Sequence, residues 1–145
     1  MRKLGLLPGT TFGRAYAINI WGDVVGECGE LIGDGSFYYP HPFLWTKARG
    51  MIALETLGGP SGRALDINDD GQVVGWADSA SGGDSRRAFL WEKDKMSDLN
   101  VLSGAGGKRT LSDASAINDY GQIVGSFKVN GPGNERHAYL LTRKP

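Results

Sequence analysis

One paragraph of about 49 residues recurs three times along this 145-residue chain, and that period constrains the fold more than any other feature. Ala15-Tyr-Ala-Ile18-Asn19-Ile-Trp-Gly22-Asp-Val-Val25-Gly26 returns as Ala64-Leu-Asp-Ile67-Asn68-Asp-Asp-Gly71-Gln-Val-Val74-Gly75. It returns again as Ala114-Ser-Ala-Ile117-Asn118-Asp-Tyr-Gly121-Gln-Ile-Val124-Gly125, with the Asn anchors spaced by 49 and 50 residues. A fixed period of this size means one supersecondary unit copied in tandem.

Each copy reads as four short strands, a to d. The Ile-Asn-x-x-Gly-x-Val-Val-Gly block is a hairpin: Asn can bond its own backbone, and Gly accepts the positive φ that closes the turn. Strand c is His41-Pro-Phe43-Leu44-Trp45, then Arg87-Ala-Phe89-Leu90-Trp91, then His137-Ala-Tyr139-Leu140-Leu141. A further block, Leu54-Glu-Thr-Leu57-Gly58-Gly59 and Leu99-Asn-Val-Leu102-Ser103-Gly104, is taken as strand d. No stretch keeps a helical period, and 23 Gly with 6 Pro interrupt the chain too often for helices. The class is all-β.

The ends are out of phase with the repeat. Leu4-Gly-Leu-Leu7-Pro8-Gly9 matches the strand-d block but precedes the first strand a, whereas the third copy stops after strand c. The chain is therefore expected to form one repeat domain over 1–145, with a strand d at 3–7 and repeats at about 14–58, 63–103 and 113–142. An unpaired strand edge is an aggregation hazard, and pairing the third copy with residues 3–7 would remove it.

The combination of Ile-Asn-x-x-Gly-x-Val-Val-Gly, then His/Arg-Ala-Phe-Leu-Trp, then Leu-x-x-Leu-x-Gly resembles the HAF family of probable extracellular bacterial repeats. The His-Ala-Phe trio stands here as His41-Pro42-Phe43, Arg87-Ala88-Phe89 and His137-Ala138-Tyr139. The resemblance runs from Leu4 to Leu141 and implies a β-propeller-like, non-catalytic, extracellular repeat protein.

Propellers use roughly four to eight blades of four strands. Three blades per chain therefore point to a homodimer, in which two chains join head-to-tail into a six-bladed ring and each N-terminal strand completes its partner's last blade. The alternative is a monomeric β-trefoil or β-prism, which also uses three repeats of four strands.

Sixteen basic and sixteen acidic residues cancel. That balance argues against a nucleic-acid partner, which needs a basic excess. No apolar run reaches the ~18 residues of a membrane span. Met1-Arg-Lys-Leu-Gly-Leu-Leu-Pro8 lacks the roughly 7–15 apolar residues of a secretory core and also matches the repeat. The compartment is accordingly open between cytoplasmic and a truncated secreted protein. The lone Cys28 cannot form an internal disulfide and reads as a small buried strand residue.

In an a-b-c-d meander the b–c and d–a loops share one end, and all length variation falls there. Loops on a rigid scaffold are where binding residues concentrate. The residues expected to open strands a and c at that end are Arg14, Arg63 and Asp113, with His41, Arg87 and His137. The first long loop adds Phe37, Tyr38 and Tyr39. Arginine forks beside aromatic rings suit a carbohydrate or a small polar ligand. The competing reading has these Arg and His residues fasten each blade to the next, since every blade needs the same attachment. Trp45, Trp76 and Trp91 read as packing residues, and Trp21 as a turn-tip residue.

Signals for catalysis fail on inspection. Asp66-Ile-Asn68-Asp-Asp70-Gly71 matches the first half of a calcium loop, but Ala77 stands where the bidentate Glu belongs. Two histidines and one cysteine show no zinc spacing. Gly82-Gly83 and Gly104-Ala-Gly106-Gly107 open no helix, so no phosphate cradle results. The expectation is a non-catalytic module with no cofactor, binding a carbohydrate or small polar ligand on its long-loop face. A structural or protein-interaction scaffold is the alternative, perhaps part of a longer extracellular propeller, and a glycosidase-like hydrolase stands third.

Overall fold

The computed structural model describes residues 1–144 except Ser36, Gly83 and Asp84, and leaves out the side chain of Phe37. Phe37's ring and Gly83, both invoked above, therefore lie outside the described residues. The period emerges as three antiparallel sheets, none closed into a barrel. The first copy gives β1 (Phe12–Ile18) and β2 (Val24–Gly29), and its b–c loop carries the two-residue strands β3 (Leu31–Ile32) and β4 (Phe37–Tyr38). Its sheet is completed by β5 (His41–Thr46) and β6 (Gly50–Ala53), in the order β1-β2-β5-β6. The second copy repeats this meander with β7 (Gly58–Ile67), β8 (Val73–Ser79), β9 (Arg86–Glu92) and β10 (Lys95–Asp98). The third has β11 (Arg109–Ile117), β12 (Ile123–Val129) and β13 (Arg136–Leu141).

The Asn-x-x-Gly turns form as their chemistry dictates. Gly22, Gly71 and Gly121 sit at φ of +81°, +74° and +72°, and each donates its N–H to the turn Asn carbonyl. The Asn side chains then tie one turn to the next. Asn19 Nδ2 donates to the Asn68 carbonyl at 3.2 Å, and Asn68 Nδ2 to the Asn118 carbonyl at 3.0 Å. Alongside, Ile20 N–H donates to Asp69 Oδ1 at 2.9 Å, and Asp69 N–H to Asp119 Oδ1 at 2.8 Å. Asp66, the first carboxylate of the apparent calcium loop, is likewise engaged between sheets, its Oδ2 accepting the Ile117 N–H at 2.8 Å.

The sheets stack in series, face on face. One core joins the first to the second through Val25, Leu44, Val73, Phe89 and Trp91. Another joins the second to the third through Val74, Leu90, Leu111, Ile117 and Ile123. The outer face of the first sheet, with Val24, Phe43 and Trp45, is covered by Leu4 and Leu7. A trefoil would close its strands into a barrel, and a prism would gather three sheets around one core; the serial stack does neither. Cys28, Trp45, Trp76 and Trp91 are buried as the sequence leads one to expect.

The Leu-x-x-Leu-x-Gly block is not strand d. Strand d lies just upstream, at Gly50–Ala53 and Lys95–Asp98, and the leucine block is the connector from strand d to the next strand a. Leucines three apart suit a connector that dips twice between sheets: Leu54 belongs to the core that holds Phe89 and Trp91, and Leu57 packs against that core. In the second copy the connector winds into a single short helix, α1 (Leu99–Leu102), capped by Asp98. Residues 3–7 follow suit, carrying no strand pairing and packing as a connector on their own first sheet.

Candidate functional site

The long-loop end is held by a fully buried carboxylate, Glu27 on β2. Residue Arg14 of β1 lies directly across from it in register, and Arg63 of β7 reaches it from the second sheet. Arg63 Nε stands 2.6 Å from Oε2, and Arg14 Nη1 3.6 Å from Oε1. The Arg63–Glu27 approach is a charge contact rather than an aligned hydrogen bond. Tyr16 Oη donates to Glu27 Oε1 at 2.7 Å. Burial, reinforced by this bond to the carboxylate, pushes the Tyr16 phenol above its ordinary value.

The hairpin β3–β4 folds over this group. Arg63 donates to the Tyr38 hydroxyl, whose ring meets Phe12 edge-on at 5.0 Å. The Arg63 guanidinium also lies 5.7 Å from the centres of both the Tyr38 and Trp76 rings. Two guanidiniums and a phenol surround one buried carboxylate, whose Oε1 accepts from Tyr16 while its Oε2 faces Arg63 by charge alone. What this arrangement does chemically is clamp sheet one to sheet two, because the charge faces protein on every side.

The remaining expected site residues are not gathered here. Tyr39 and His41 line a recess of about 330 Å³ with Thr10, Glu30 and Leu54. Arg87 lies on β9 opposite Ala77. His137 stacks on Phe127 at 5.2 Å and approaches Glu135 at 3.4 Å, on the third sheet. The expectation that Arg14, Arg63 and Asp113 open their strands is also corrected. Each sits inside its strand, opposite Glu27, Trp76 and Ser126 respectively. Bulged strand a extends further toward the long-loop end than the repeat block alone reveals.

Sequence reasoning passed over Glu27, since the other copies have Trp76 and Ser126 at that place. The available signal was a lone carboxylate directly after Val-Val-Gly, in a run otherwise reading as buried strand. It also favoured Arg87 over Arg86. Arg86 is the engaged residue, with its guanidinium 3.8 Å from the centre of the Trp76 ring and its acid strength raised by burial. In the third sheet, Asp113 accepts from Ser126, and its carbonyl accepts from Tyr139 Oη at 2.7 Å. Among the described residues no group of three or more His, Cys, Asp or Glu is placed to hold a metal ion, and no helix is long and apolar enough to cross a membrane.

A second concavity, about 920 Å³, runs between the second and third sheets, lined by Leu90, Leu99, Leu102, Ile123 and Leu141 with Lys93 and Lys95 at its rim.

Over residues 9–138 the chain matches the model of a family described as Protein of unknown function (DUF3466), and it belongs to that family. No curated protein and no solved structure matches it. The resemblance to HAF repeats is thereby corrected, for nothing in the comparisons indicates that family. Its motif positions are those any such four-stranded sheet demands: a turn glycine, a glycine under a cross-strand ring, and core leucines.

Proposed function

We propose that this chain is a non-catalytic assembly module: three propeller-like blades, half of a ring that a second copy completes by stacking head-to-tail. One observation carries the reading. Positions that the repeat buries inside the stack are bare on the outer face of the third sheet, and on the first sheet at Ile18, where Val24, Phe43 and Trp45 lie under Leu4 and Leu7. Val25 and Val74 are 0% exposed, but Val124 is 42%; Leu44 and Leu90 are 5% and 6%, but Leu140 is 61%. At the opposite end the pattern inverts, with Ile67 and Ile117 at 5% and 8% and Ile18 at 67%.

Each end thus carries one half of the interface that the chain already makes twice within itself. A stack of repeats gains stability at every such junction and needs its terminal faces covered. An interface joining two different faces closes into a ring when the rotation per copy allows it. Charge fits the same junction. Arg63 reaches back to Glu27 on the preceding sheet, and Arg14 would reach back to Ser126, beside Asp113.

Leu140→Asp tests this. In the isolated chain the side chain is exposed, so the folded monomer is expected to lose no more than about 0.5 kcal/mol. Association, in contrast, should weaken at least tenfold by sedimentation, because a carboxylate would be buried without a partner. Unchanged association would overturn the reading.

A second reading, carbohydrate or small polar ligand binding at the long-loop end, draws on the recess beside Tyr39 and His41 and on Arg14, whose side chain is 61% exposed. A glycan array separates the two, since a pure scaffold gives no saturable hit.

A further inference from the structure

The 920 Å³ groove has a cause in the repeat. At the junction of sheets one and two, the corresponding space is filled by Trp91 and Met96, which face each other across β9 and β10 and join the shared core. In the third sheet Leu141 takes the place of Trp91, and no described strand takes the place of β10. Among the described strands none pairs with the outer edge of β13, and such an edge is a template for one more strand.

The chain contains a segment of matching register. Counting back from the connector leucine without a gap, Met51-Ile-Ala53-Leu54 aligns with Met96-Ser-Asp98-Leu99 and with Met1-Arg-Lys3-Leu4. The first two triplets are strand d, and their methionines stand opposite Trp45 and Trp91. Leu4 and Leu7 join the core that holds Phe43 and Trp45 as Leu54 and Leu57 join the core that holds Phe89 and Trp91. The Arg2 guanidinium stands 4.9 Å from the Trp45 ring centre, and Ile52, its counterpart, packs in the same cluster as Trp91. Arg2 thus stands above sheet one as Ile52 of the preceding sheet's strand d stands above sheet two.

We propose that the groove receives residues 1–3 of a second copy, paired antiparallel to β13 with Met1 opposite Leu141, Arg2 opposite Leu140 and Lys3 opposite Tyr139. This rests on the head-to-tail reading above and adds to it which residues cross. The donated strand is short, so it seals and aligns a junction whose main area is sheet on sheet. Met1 then fills the groove as Met96 fills its equivalent, and Arg2 stays sandwiched against Trp45 of its own chain.

The test is an engineered disulfide. Arg2→Cys and Leu140→Cys are combined in a Cys28→Ala chain, since facing residues on antiparallel strands fall within disulfide reach. Mild oxidation is expected to give a reducible species of two chains, absent from either single-cysteine chain. A two-chain sedimentation mass for the double variant with no crosslink would overturn the strand assignment and leave the ring reading standing. A one-chain mass at all concentrations would overturn both.

Discussion

Replacing Gly75 by Ala is expected to cost on the order of 4 kcal/mol, enough to leave much of the chain unfolded at 37 °C given the ~5–15 kcal/mol of a typical domain. A Cβ at Gly75 would lie 1.9 Å from the Arg63 carbonyl oxygen and 3.0 Å from the Phe89 ring. The carbonyl is pushed there by the bulge in β7 between Ala64 and Asp66, and backbone cannot retreat without breaking the ladder. Every copy shares the arrangement. A Cβ built at Gly26 would likewise lie 1.9 Å from the Arg14 carbonyl oxygen, and one at Gly125 2.1 Å from the Asp113 carbonyl oxygen. Across each glycine stands the aromatic residue of strand c: Phe43, Phe89 or Tyr139. Urea denaturation measures the loss, and a cost below about 1 kcal/mol would show that the bulge is soft.

Arg63→Ala is expected to cost about 3 kcal/mol and lower Tm by roughly 10 °C, because it strands a buried carboxylate. Glu27 is 0% exposed, and Arg14, at 3.6 Å and itself mostly in solvent, neutralises it poorly. Adding Glu27→Gln should recover more than half of the loss, since the amide can still accept from Tyr16 and carries no charge to bury. Such non-additivity is the mark of a contact pair. If the two single losses simply add, the clamp between sheets one and two lies elsewhere.

The repeat was legible because its period acts through groups that any copy needs: Asn19, Asn68 and Asn118 for the turns, and the following glycines for their φ. Strand c was legible for the same reason, its aromatic residue covering the glycine opposite. Strand d was misplaced because the true strands, Gly50–Ala53 and Lys95–Asp98, are short and weakly apolar, whereas the connector beside them is rich in leucine. Burial of Leu54 and Leu99 comes from filling the gap between sheets, which looks in a sequence like burial within one.

The site was less legible. Arg14, Arg63 and Tyr38 do meet, but around Glu27, which only one copy possesses. Repeat reasoning finds what copies share and is blind to a residue that occurs once. His41, Arg87 and His137 share a column of the repeat, yet each sits on a different sheet of the stack, so a common column did not make a common site. The β3–β4 hairpin that brings Tyr38 to Arg63 has two-residue strands, too short for any alternation to show.

The bare ends of the stack, Val124 and Leu140 on one side and Ile18 on the other, lead to one measurement. Sedimentation equilibrium of the unaltered chain at about 10–100 μM should give twice the 15.5 kDa mass of a single chain, as a ring closed by two identical junctions requires. A mass of one chain across that range would contradict the account, and its exposed valine, leucine and isoleucine would then need another partner.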